Sequence, residues 1–189
     1  MTMRTVVAVD EWNAHYAAGR DFRPVTSEEA VAFDLNVGEG EGRSALDIGC
    51  GTGGFASFLR ERGYSVTGVD CASEAISAAT ARHGSTSALS FRHWNAETDS
   101  WAEFPAHDFI SCRLSYAFIQ RKVEFLRNVK SSLSVGGVFY VMTPLADKLP
   151  PDRSGIGISA EEVEELRCGW NSVREWELDA QHVCYTLTL

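Results

Sequence analysis

This sequence is short of positive charge. Its 189 residues carry 17 lysines and arginines against 26 aspartates and glutamates, a formal net charge of −9. A nucleic-acid backbone is held by a basic face, so this balance argues against a nucleic-acid partner. An acidic surface is otherwise the ordinary result of selection for solubility. Paired cysteines are missing too. The five cysteines, at positions 50, 71, 112, 168 and 184, form no C-x-x-C pair. An odd count without metal-ligand spacing argues against a disulfide frame or a metal site and for free thiols in a reducing cytoplasm. No apolar stretch approaches the roughly 20 residues of a membrane span. No long apolar run follows basic residues near the start, so no signal peptide is expected. Internal repeats and linker-like segments are absent as well. With 44% hydrophobic residues the chain can build one core of ordinary size, and a single domain over residues 1–189 is expected.

What is present is organised around ten residues, Ala45-Leu46-Asp47-Ile48-Gly49-Cys50-Gly51-Thr52-Gly53-Gly54. An apolar run ends in an acid, then glycines alternate, then an amphipathic helix pattern begins. This reads as a strand, a tight turn and a helix start, with N–H groups at the turn free to face a ligand. Residues 49–54 satisfy G-x-G-x-x-G, the dinucleotide fingerprint. Residues 47–53 also satisfy D-x-G-x-G-x-G, which resembles the first motif of class I S-adenosylmethionine (SAM)-dependent methyltransferases. Spacing alone does not choose between the two.

The rest of the chain supplies the context. Residues 10–17 and 26–33 read as helices, the second opened by a Thr26/Glu29 capping box. Trp12 and Tyr16 are four apart and share a helix face. Trp12 reads as a packing aromatic, Tyr16 as part of a cover over a ligand. Residues 55–62 form a helix stopped by Gly63, and 64–70 a strand ending in Asp70. Asp70 lies 21 residues beyond Gly49, the offset of an acid that accepts from ribose hydroxyls. A helix over 73–83, a strand over 89–94, a polar loop, and a strand over 107–112 follow. The helix 122–133 shows Val123, Leu126, Val129 and Leu133 on one face. Val135-Gly136-Gly137 reads as a turn before a strand over 138–142. After a loop over 144–158, a capping box at Ser159/Glu162 opens a helix to about residue 168. Residues 172–178 and 181–189 form an antiparallel hairpin.

This is a strand–helix alternation that ends in a hairpin. It predicts an α/β fold: a Rossmann-like, doubly wound, seven-stranded sheet, mostly parallel with an antiparallel last strand. A dehydrogenase continues with more parallel units and a substrate domain, and no residues remain for one. The ending, together with Asp70-Cys71-Ala72-Ser73, Asn95-Ala96-Glu97 and Leu133-Ser134-Val135-Gly136-Gly137-Val138, resembles class I methyltransferases. The Glu11-Trp12-Asn13-Ala14-His15-Tyr16 opening is similar to the starts of small bacterial ones. Val135 stands where the family has proline, and Asn95 where it often has aspartate.

The resemblance implies SAM as cofactor and S-adenosylhomocysteine (SAH) as product. It implies a helical lid over residues 1–43 and a SAM-binding core over 44–189. Asp47 would face the methionine ammonium, with the glycine loop at Gly49, Cys50, Gly51 and Gly53 against the cofactor. Asp70, with Cys71 beside it, would hold the ribose. The Asn95 side chain and the Ala96 N–H would bracket adenine, and backbone carbonyls near Cys112 and Arg113 would face the ammonium. Tyr16 would cover the cofactor. Arg20 or Arg23 would reach the methionine carboxylate. His15 and Tyr116 are the candidates for a general base; His93, His107 and His182 read as structural. The implied partner is a small-molecule methyl acceptor taking the group on oxygen or nitrogen, in the cytoplasm. The alternatives are a peptide or protein acceptor and a SAM-binding module without catalysis. No Asn-Pro-Pro-Tyr or Pro-Cys signature of nucleic-acid methylation follows the fourth strand.

Overall fold

The computed structural model describes residues 7–189, so the first six residues of the expected 1–43 segment lie outside it. Two helices come first, α1 (Val9–Ala17) and α2 (Ser27–Asn36). Strands and helices then alternate: β1 (Ser44–Ile48), α3 (Gly54–Glu61), β2 (Ser65–Asp70), α4 (Ser73–His83), β3 (Leu89–His93), β4 (His107–Arg113), α5 (Lys122–Ser132) and β5 (Leu133–Pro144). The described chain closes with α6 (Ala160–Arg167), β6 (Ser172–Glu177) and β7 (His182–Thr188). The strands form one seven-stranded sheet in the order β3-β2-β1-β4-β5-β7-β6. Neighbours from β3 to β5 are parallel; β7 is antiparallel to β5 and to β6.

Side-chain alternation on the central strands builds two cores. Leu46, Ile48, Ile110, Cys112, Phe139 and Val141 pack toward Phe125, Leu126 and Val129 of α5 and Leu166 of α6. Their neighbours Ala45, Phe109, Tyr140 and Met142 pack toward Phe33 of α2 and Phe55, Phe58 and Leu59 of α3. Strands covered on both faces carry continuous apolar runs, and these are the runs the sequence displays. β1 and β4 are neighbours in space although β2 and β3 separate them in the chain. The winding reverses between them, so a crevice opens at their carboxyl ends.

The polar loop expected between β3 and β4 holds a single 3₁₀ turn at Trp101–Glu103. Three local expectations are corrected. Val135-Gly136-Gly137 does not turn; it runs on within β5 as an irregularity where the register slips between His107 and Phe109, with Gly136 at φ +75°. Val123 is exposed, and Phe125 takes its place on the buried face of α5. Thr26 does accept the Glu29 N–H, but the Glu29 carboxylate turns to Arg113 and leaves the capping box half-formed.

Candidate active site

A cavity of about 260 Å³ lies over the carboxyl ends of β1 to β4. Its walls come from Asp47–Thr52, Asp70–Cys71, Trp94–Glu97 and Arg113–Ser115, and its cover from Trp12, Tyr16 and residues 21–25. The strand order explains this grouping, since four strand ends meet at one edge of the sheet.

Four N–H groups of the glycine loop are spent within the protein. Gly49 and Cys50 both donate to the Val69 carbonyl, at 2.8 and 3.0 Å. Gly53 donates to the Cys50 carbonyl at 3.0 Å, and Gly51 donates to Asp70 Oδ2 at 2.9 Å. Four of the donors expected at this turn, those of Gly49, Cys50, Gly51 and Gly53, are therefore already used. A pyrophosphate draws on such donors. A Cβ on Gly51 would sit 2.9 Å from the Tyr16 hydroxyl, so the cover closes directly on the loop. Gly53 plays another part. It stands at φ +84°, off the cavity wall, and a Cβ there would meet Phe91 at 2.7 Å and His83 at 2.9 Å.

Two buried carboxylates dominate the electrostatics. Asp47 is fully enclosed. Ser111 Oγ donates to its Oδ1 at 2.7 Å, and its Oδ2 has no hydrogen-bond partner among the described residues. Burial pushes the Asp47 carboxyl up to about 6, with the Ser111 hydrogen bond working the other way. Asp70 accepts from Gly51 on Oδ2 and from Ala72 on Oδ1, each at 2.9 Å. Burial raises its pKa, and those two N–H groups hold the rise back. A buried acid with an unmet oxygen asks for a cationic or donor group from a ligand.

The N-terminal segment is fastened to this frame. Asn13 of α1 accepts the Glu74 N–H and the Ser73 hydroxyl at the start of α4, at 3.2 and 3.3 Å. Trp12 packs edge-on against Phe118 with ring centroids 4.9 Å apart. Asp21 accepts from Thr52 Oγ1 at 2.6 Å and from Arg82 at 2.7 Å. Arg113 donates to both oxygens of the buried Glu29, at 2.6 and 2.8 Å, and to the carbonyls of Arg23 and Pro24. Burial alone weakens the Arg113 charge; the Glu29 carboxylate more than offsets it and raises the pKa.

The methyltransferase-domain family profile matches residues 18–186. The chain belongs to this family of SAM-dependent methyltransferases. Over 106 residues it is 29% identical to the ubiquinone biosynthesis O-methyltransferase of Marinobacter nauticus, covering 54% of this chain and 44% of that protein. The matched segment thus spans less than half of that relative's length. A plantazolicin methyltransferase in complex with SAH has a similar fold, with a TM-score of 0.69, 16% identity and coverage of 95% of this chain and 90% of that one. A TehB-like SAM-dependent methyltransferase from Corynebacterium glutamicum gives 0.63 and 18%, covering 95% and 94%. These structures show the fold of the class.

Within this methyltransferase, Tyr16, Asp47, Gly49, Cys50, Gly51, Asp70, Cys71, Asn95, Ala96 and Arg113 all reach the cavity wall. Other expected residues do not. Gly53 serves helix–strand packing. Cys112 points into the core on the opposite face of β4, with its Sγ 3.1 Å from Ser115 Oγ. Tyr116 is fully buried beside Phe125 and Lys122, away from the cavity. His15 stacks on Phe22 at 4.8 Å, off the wall, and burial lowers its pKa. Asn95 Oδ1 already accepts the Glu97 N–H at 2.9 Å, so one of its lone pairs is used. Trp12, read as a packing aromatic, stands on the wall, as does Arg23, and so do Asp21 and Leu114, which the sequence did not place there. Leu114 was the hardest to foresee: it holds φ +60° without being glycine, at the end of β4.

Proposed function

We propose that this methyltransferase binds SAM in the β1–β4 cavity and passes the methyl group to an oxygen or nitrogen of a small-molecule acceptor. The observation that carries the reading is the pairing of a loop whose Gly49, Cys50, Gly51 and Gly53 N–H groups are spent within the protein and a buried Asp47 oxygen without a partner among the described residues. Such a site suits a ligand with a cationic head and no phosphate. Asp47 Oδ2 receives the methionine ammonium. Asp70 keeps lone pairs for both ribose hydroxyls after accepting from Gly51 and Ala72. Asn95 and Ala96 flank adenine, and Tyr16 lies across Gly51 as the cover. Residues 7–43 are then a lid on the 44–189 core, within one domain.

When bound, SAM supplies a methyl group on a positively charged sulfur, open to in-line displacement. The protein's own work is alignment and exclusion of water, and positioning of this kind contributes roughly 7–11 kcal/mol to lowering a barrier. Trp12 against Phe118 and Tyr16 over Gly51 cover one side of the cavity. The hydroxyl of Tyr16 stays protonated, because burial and then Asp70 raise its pKa, so it donates and does not act as a base. Neither His15 nor Tyr116 stands on the wall, which favours an acceptor that needs little help in losing a proton.

The O-methyltransferase relative and the SAH-bound structural neighbour support the reaction class. Five free cysteines support a cytoplasmic setting. Among the described residues no helix is long and apolar enough to cross a membrane. Incubation with methyl-labelled SAM and a panel of metabolites, followed by separation by size, tests the reading. Label in the small-molecule fraction is expected. Label only in added peptides would move the acceptor class, and SAM uptake without any transfer would favour a binding module.

A further inference from the structure

Arg23 occupies the end of the cavity away from the ribose site. Its Nη1 donates to Asp179 Oδ2 at 2.6 Å and lies 3.0 Å from His182 Nδ1. Asp179 is itself fixed, since its Oδ1 accepts the N–H groups of Gln181 and His182, both at 2.9 Å. These bonds hold the guanidinium beside the first residue of β7. Nε and Nη2 of Arg23 meet no partner among the described residues, and the residue stands on the cavity wall. The other arginines of the wall are differently committed. Arg113 is bound to Glu29 and two carbonyls, and Arg82 to Asp21 and Thr52 over the glycine loop.

The sheet decides what those free donors can serve. From Asp47 on β1 to His182 on β7 there are three strand steps, through β4 and β5. At about 4.8 Å each these cover roughly 14 Å. The register also carries His182 further toward the carboxyl edge: Asp47 pairs with Ser111, Ser111 with Tyr140, and His182 with Pro144, four residues on. The ammonium and carboxylate of a methionine share one carbon. Across this backbone separation a head group held by Asp47 is poorly placed for Arg23, which sets Arg23 apart from the role expected for it on the cofactor carboxylate and leaves that role as the alternative the test below decides.

We propose that Arg23 recognises the methyl acceptor, and that the acceptor carries a carboxylate. This rests on the reading that the β1–β3 end of the cavity holds SAM. Three N–H groups in a rigid fork match a carboxylate in two-point geometry, and the Asp179 bond fixes the fork in advance. Pro24, Val25 and Leu114 line the cavity too and offer apolar surface for the acceptor's body. The acids Asp21, Asp47 and Asp70 on the wall favour a singly charged group over a phosphate.

The test uses the full chain saturated with SAH. Benzoate, phenylacetate and indole-3-acetate, their neutral amides, and phenyl phosphate are titrated by ligand-observed NMR. At least one carboxylate is expected to bind roughly tenfold or more tightly than its amide. Arg23→Gln is expected to erase that preference with SAH affinity unchanged, and its SAH uptake reports that it is folded. Arg23→Lys is expected to fall between the two. Equal binding of acid and amide, binding of no carboxylate, preference for phenyl phosphate, or a preference that survives in Arg23→Gln overturns the proposal. Weaker SAH binding by Arg23→Gln, with methylthioadenosine binding intact, overturns it by returning Arg23 to the cofactor's carboxylate. Failure of the unmodified protein to take up SAH is a separate result, which removes the SAM reading itself.

Discussion

Ser111 Oγ donates to Asp47 Oδ1 at 2.7 Å, while the Oδ2 of the same carboxylate is buried and without a partner among the described residues. The two residues are register partners on β4 and β1, and Asp47 stands on the cavity wall. Half of this carboxylate is satisfied by the fold; in the proposed reading the other half meets the ligand.

Such an arrangement costs stability in the ligand-free protein. The unfolded chain ionises Asp47 near the ordinary aspartate value of about 3.9, the folded chain at about 6. Between those values the folded state holds a proton that the unfolded state has released, so stability falls as pH rises through the window. Asp47→Asn is expected to stabilise the ligand-free protein at pH 7 by of order 1–3 kcal/mol and to change little below about pH 4. The same variant is expected to bind SAM more weakly. Denaturant unfolding at the two pH values checks the first half and calorimetry the second. A variant no more stable at pH 7 than at pH 4, relative to the parent, contradicts the assignment.

Asp70 ties the glycine loop to the end of β2 through the Gly51 and Ala72 N–H groups. Asp70→Ala removes both acceptors and the proposed ribose contact. SAH affinity is expected to fall about tenfold or more, since charge-assisted hydrogen bonds contribute a few kcal/mol. Asp70→Asn keeps one acceptor oxygen and is expected to lose less. Unchanged affinity in Asp70→Ala would remove the residue from the ribose site.

The Arg113–Glu29 pair is almost fully enclosed, with side-chain exposures of 8% and 1%. Breaking a buried pair from one side leaves an uncompensated charge and costs roughly 3–5 kcal/mol. Glu29→Gln is expected to lower the unfolding free energy by that order. It should also loosen residues 23–24, whose carbonyls Arg113 holds. Loss of only a few tenths of a kcal/mol in thermal or urea unfolding would show that the pair is solvated in solution.

Neighbouring glycines separate packing from binding. Gly53→Ala faces Phe91 and a positive φ, and is expected to destabilise by about 1–3 kcal/mol. Gly54 opens α3, and a Cβ added there would meet nothing within 4 Å. Gly54→Ala is expected to be neutral or to stabilise by up to about 1 kcal/mol. Melting curves of the two variants, recorded together, check the order.

Most of the fold was legible because its signals are local. Continuous apolar runs mark strands buried on both faces, and Gly63 and Gly84 mark helix ends. The Asp47–Asp70 frame was legible because both acids end strands at a fixed offset. Arg113 and Glu29 lie 84 residues apart, and no local pattern joins them. The same holds for Arg23 with Asp179, 156 residues apart. At Cys112 and Arg113 the expected contact runs through backbone carbonyls, which strand alternation does not divide; the side chains do divide, and only that of Arg113 reaches the cavity. Tyr116 was expected on the active side because it follows β4, but the turn at Tyr116–Phe118 buries it and presents Phe118.

One measurement bears most directly on the SAM reading: calorimetric titration of the purified protein with SAM, SAH and NADH. Saturable, micromolar-range binding of SAM and SAH with no heat from NADH is the expected result. Saturable binding of NADH with SAM and SAH silent would contradict it, and would mean that the loop at Gly49–Gly53 receives a pyrophosphate after all.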